Sequence, residues 1–165
     1  MRSRVCWVAE VGVLAAFITI TSTFKLPGLM PGTEFQLSAP LAVAICAVFG
    51  FGKYITAGLL SSVVGLVLGT QSLLNVFIAM VFRATVGMLV VLLGRSWPVI
   101  VLAGPLGSAI GRLVLGGIIG KAVIPLLLAA LPGMIYTALL TCPVTALLQR
   151  VKEQREKVMR HVVQR

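Results

Sequence analysis

The sequence contains no aspartate at all and only one histidine, His161, which stands close to the end of the chain. Intramembrane enzymes commonly draw on paired aspartates, a histidine-activated nucleophile or His/Asp metal ligands. Those absences point away from an enzyme, and no cofactor is implied. Cys6, Cys46 and Cys142 are far apart with no Cys-x-x-Cys, so neither a disulfide framework nor a zinc site is indicated. Charge is scarce as well, at 11% of 165 residues, and only four of the charged side chains are acidic.

What remains is apolar: 59% of the residues are hydrophobic and the mean hydropathy is +1.08. A soluble domain of this size has no means of hiding so much apolar surface behind so few charges. The net charge of +10 does not indicate a nucleic-acid partner, because six of the fourteen basic residues fall in the last sixteen positions and the others lie within or beside apolar runs. Attraction to anionic membrane lipid and membrane topology account for that pattern.

Six apolar runs are expected to span the membrane, over about 7–21, 35–51, 54–68, 72–93, 98–120 and 122–148. Arg2, Arg4, Lys53, Arg95 and the six basic residues after 149 fall on one side, and only Lys25 and Lys121 fall on the other. Lys and Arg accumulate in cytoplasmic loops. The expected fold class is therefore an all-α membrane protein with six transmembrane helices and cytoplasmic N- and C-termini. Residues 1–148 form the membrane domain and 149–165 a basic cytoplasmic tail. The first run also has the look of a signal peptide, but its removal would leave five spans and a tail on the wrong side. The segment FKLPGLMPGTE between the first two runs carries two proline-glycine type breaks and reads as an ordered external loop. Kinks are expected at Gly104-Pro105 and breaks at Pro132-Gly133 and Pro143.

Two arginines stand inside spans. Arg83 is near the middle of the fourth, and Arg112 is in the outer half of the fifth, within a ridge of small residues (Gly104, Ser108, Gly116). A guanidinium at helix centre costs at least roughly 2.5–3.5 kcal/mol on insertion scales, so each must face protein or a wet cavity. One reading makes Arg83 a counter-ion to Glu10 or Glu34, or a donor to carbonyls freed near the kinks. The other makes the pair a fixed cationic site for a carboxylate or phosphate. Asn75, Gln71, Glu34 and Gln36 collect at the same outer side and are candidate hydrogen-bonding groups for a polar ligand. On the first run Ala9, Gly12 and Ala16 share one helical face, which suits either internal packing or docking of a partner helix.

With six helices, both ends inside, a small-residue face on helix one and a long external loop leading into helix two, the whole chain resembles the substrate-binding S components of energy-coupling-factor (ECF) transporters. The family's docking motif, Ala-x-x-x-Ala, is matched here by Gly12-x-x-x-Ala16. The resemblance implies a multi-pass protein of the prokaryotic plasma membrane that binds a vitamin or related micronutrient and docks onto a transmembrane coupling subunit with two cytoplasmic ATPases. It also implies a pocket in the outer half, beneath the first loop. Metal-binding members use a histidine near the N-terminus, and this chain has none there, so a metal substrate is not expected. The alternative function is a non-transport membrane scaffold, such as a cell-shape or assembly subunit, which explains the topology but gives no special role to Arg83 and Arg112.

Overall fold

The computed structural model describes residues 2–27, 34–36, 38–120 and 123–163. Six helices follow in order: α1 (Arg2–Thr23), α2 (Ser38–Phe49), α3 (Phe51–Val67), α4 (Leu73–Leu93), α5 (Trp97–Ile119) and α6 (Val123–Val163). Between α1 and α2, the short strands β1 (Lys25–Pro27) and β2 (Glu34–Gln36) pair antiparallel with Leu26 opposite Phe35. The expected non-helical loop is thus a small hairpin whose tip lies outside the described residues. The architecture is that of an all-α membrane protein, in which α1, α4, α5 and α6 are each long and apolar enough to cross a bilayer.

α2, with 12 residues, is shorter than the expected span over 35–51, whose first residues belong to β2. α3, with 17, starts three residues ahead of the expected 54–68 and is still short of the roughly 20 a full crossing takes. At about 1.5 Å per residue, α2 rises only about 18 Å, well short of a hydrocarbon core of about 30 Å. It has no need to meet lipid at both ends, because it is the centre of the bundle and touches every other helix. Val43, Ala44, Ile45 and Cys46 are fully enclosed. Pro40 sits in its first turn, where the missing amide has no intrahelical partner to lose. The turns are set by glycine: Gly50, Gly69, Gly94 and Gly120, each just past a helix end, are the residues with positive φ among those described.

α6 does not break at Pro132 or Pro143 and is a single helix of 41 residues running on past position 148. In lipid the backbone has no water to bond, so a helix that loses one amide to proline still gains more by continuing than by opening. On its buried face, the hydroxyls of Thr137 and Thr145 donate to the carbonyls of Gly133 and Thr141, both at 2.7 Å, and Thr141 donates likewise to Thr137. Close helix approach is paid for with side chains left out. A Cβ on Gly104 would overlap Thr137, one on Gly87 would overlap the Phe51 ring, and one on Gly107 would come within 2.9 Å of Phe82.

At the end opposite the hairpin, the Glu10 carboxylate of α1 accepts from both Lys53 of α3 and Arg155 of α6. Lys152 adds a bond to the Val48 carbonyl at 3.1 Å and lies over the Phe49 ring. Glu10 thus ties α1 to α3 and α6, and Lys152 ties α6 to α2. Glu10→Gln is expected to lower stability by about 1–3 kcal/mol, between the values for exposed and buried ion pairs. A thermal scan in detergent checks it. Gly87→Val, which forces α4 away from Phe51, should cost about 1–3 kcal/mol in the same scan.

Candidate anion-binding cavity

Toward the hairpin end, the helices part around a cavity of about 280 Å³. Its walls come from the last turns of α1 (Ile18), the first turns of α2 (Ser38, Ala39, Ala42), the first half of α4, the second half of α5 and the first half of α6. Helix packing explains why it forms there. Gly107 and Gly111 bring α5 tight against Phe82 and Ile78 of α4, while Ser108 and Arg112, one position further round, turn into the space that is left.

The wall has an apolar part, which includes Ile78, Phe82 and Leu115, and a polar part made by Arg83, Arg112, Asn75, Ser38, Ser108 and Tyr136. Among the described residues no carboxylate contributes to it. The two expected cations therefore do share one space, and they differ in how they are held. Arg83 is buried, with 6% of its surface exposed. Its Nη1 donates to Ser62 Oγ on α3 at 2.7 Å and lies 3.6 Å from Met80 Sδ. Arg112 is half-buried and, among the described residues, has no hydrogen-bond or ion-pair partner. Pairing of Arg83 with Glu10 is not what is found, since Glu10 is engaged by Lys53 and Arg155 at the far end.

The other candidates divide. Asn75 lines the cavity mouth, and its backbone amide is capped by Ser72 Oγ at 3.2 Å, which fixes the start of α4. Gln71 does not reach the cavity: its side chain folds over Gly65 of α3, where the absence of a Cβ makes room for it. Its backbone N–H donates to the Gly65 carbonyl at 3.1 Å. Glu34 and Gln36 are on β2, and their side chains lie outside the described part. Ser38 and Tyr136 line the cavity without having been singled out in the sequence. A serine before a proline-bearing helix start and a lone tyrosine in an apolar run are the only signals they leave.

On α1, Ala9, Gly12 and Ala16 all lie on the exposed face, opposite the buried Val11, Leu14, Ala15 and Ile18. A Cβ on Gly12 would have nothing within 4 Å. Internal packing is therefore not what that face serves within the chain.

A site with two permanent cations, hydroxyl and amide groups, an apolar wall and no acid among the described residues is chemically complementary to a small anion with an apolar body. An unpartnered guanidinium at this depth is a cost in the empty protein. Arg112→Met is accordingly expected to raise the thermal midpoint of the ligand-free protein. Arg83→Met, which strands Ser62, should lower stability by about 1–3 kcal/mol. Scans of both variants in the same detergent decide between these signs.

No family model matches the chain, and no solved structure matches it. Among curated proteins, Protein BioX of Lysinibacillus sphaericus is 47% identical over 146 residues, a stretch that covers 88% of this chain and 88% of that relative.

Proposed function

From a chain that belongs to the same family as Protein BioX, we propose a membrane-embedded substrate-binding subunit, an S component, of an ECF-type uptake transporter, with biotin or a closely related small carboxylate as its ligand. The observation that carries this reading is Arg112: a half-buried guanidinium that, among the described residues, has no partner and shares its cavity with no acid. Among small carboxylates, the prefix of the relative's name directs the choice to biotin. Biotin's chemistry suits the wall, since its single carboxylate ends an apolar chain and its ureido ring offers hydrogen-bond donors and an acceptor. In this reading Arg112 and Arg83 take the carboxylate, Phe82 and Leu115 cover the chain, and Asn75, Ser38, Ser108 and Tyr136 are the groups within the cavity suited to the ring. A cavity of this volume is at the small end of ligand pockets, as a vitamin requires.

Delivery would proceed through α1. Its exposed small-residue face at Ala9, Gly12 and Ala16 suits close approach by a helix of a transmembrane coupling subunit, itself bound to two cytoplasmic ATPases. The chain has no role in hydrolysis in this scheme and works as a binder in the cell membrane.

Titration of detergent-purified protein with biotin tests the ligand. Wild type should bind with one site, and Arg112→Ala should weaken binding by roughly 2–5 kcal/mol, as expected for loss of a charge-assisted contact to a buried anion. Equal affinity in the two proteins would remove Arg112 from the site, and no heat at all would remove biotin. Docking is read separately. Gly12→Leu combined with Ala16→Leu should abolish co-purification with the coupling subunit while leaving biotin binding in detergent unchanged. A complex that survives both substitutions would move docking to another face.

A further inference from the structure

The helix that receives Arg83 contributes nothing to the cavity wall. Residues of α1, α2, α4, α5 and α6 line that space, and none comes from α3. α3 nevertheless presents Gly58 and Ser62, one helical turn apart, directly to the arginine. Ser62, only 1% exposed, accepts a hydrogen bond from Arg83 Nη1 at 2.7 Å. Gly58 lets the side chain lie against the α3 backbone: a Cβ there would stand 2.7 Å from Arg83 Cδ and 3.0 Å from Cζ. The fully buried neighbour of Ser62, Ser61, accepts from Thr19 Oγ1 of α1 at 3.0 Å, so the rung of α3 that holds Arg83 is itself fixed from behind.

A guanidinium has five N–H donors in a rigid plane, so one donor fixed to Ser62 orients the rest. With Gly58 beneath Cδ, Nε and Cζ, and Ser62 and Met80 at Nη1, the other amino group is left for the cavity that Arg83 borders. Pre-orientation of this kind reduces the ordering cost when an anion arrives. We infer that Gly58 and Ser62 are positioning residues for the cavity's Arg83, making α3 part of the binding machinery although it lines no part of the site. The consequence for ligand affinity rests on the function proposed above, whereas the orientation of Arg83 does not.

The experiment uses the full chain in detergent with 15N-labelled arginine, and the Nε–Hε signal of Arg83 is identified by its loss in Arg83→Lys. In wild type that signal should be single and protected from solvent exchange. Ser62→Ala should broaden it or expose it to exchange, Ser62→Thr should retain it, and Gly58→Ala should displace it even though the Ser62 hydroxyl is still present. With biotin as probe, Ser62→Ala should weaken binding about tenfold, the loss expected for one hydrogen bond to a charged group. In an Arg83→Lys background the same substitution should add little. An Arg83 signal that is unchanged in both Ser62→Ala and Gly58→Ala overturns the inference, as does a Ser62→Ala protein that loses thermal stability but keeps both signal and affinity. If wild type ignores biotin while the signals respond as stated, the ligand assignment fails and the positioning role stands. If wild type binds biotin through Arg112 while the signals do not respond, only the positioning role fails.

Discussion

Two guanidinium groups set among apolar helices, with no carboxylate beside them among the described residues, constrain everything else in this protein. Arginine does not escape burial by giving up its proton, so the cost must be met by neighbouring groups. The chain meets it in two different ways. Arg83 is laid across a bare stretch of α3 backbone at Gly58 and bonded to Ser62. Arg112 is left facing a cavity that forms because Gly107 and Gly111 let α5 close on α4 and leave space on the adjoining face. One cation is built into the frame, and the other has no partner among the described residues.

The placement of acid sharpens this contrast. Glu10 is saturated at the end opposite the hairpin, where Lys53 and Arg155 both reach it and bind α1, α3 and α6 together. Glu153 and Glu156 lie in the extension of α6, also far from the cavity. Among the described side chains, charge is therefore satisfied at the end that holds the bundle together and left unsatisfied at the end that opens; Glu34, on the hairpin, has its side chain outside that set. Division of this kind is expected where a binding site is maintained at some expense of stability. Between the two ends runs α6, whose first half borders the cavity and whose extension carries Arg155.

Much of this was legible in the sequence because it depends on single helices. The six apolar runs, the two arginines within them and the small-residue face of α1 are properties of local order, and the structure forms a helix from each run, though the second starts late because its first residues belong to β2. What was not legible depends on which helices meet. The enclosure of α2 explains its short length, and nothing within its own residues announces that enclosure. The prolines of α6 suggested breaks that the lipid-facing backbone does not permit. Gln71 looked like a ligand group by position, but the missing Cβ of Gly65 gives it a place on α3 instead. Ser62, among several small residues on α3, becomes distinct only when Arg83 arrives from another helix.

The central claim is that the cavity between α4, α5 and α6 exists to hold a small anion. Native mass spectrometry of the wild-type protein released gently from its membrane measures this most directly. Wild type should carry a stoichiometric small acidic molecule that leaves on mild activation and is missing from Arg112→Ala. A wild-type protein that carries only phospholipid, with the same spectrum from the variant, would contradict it.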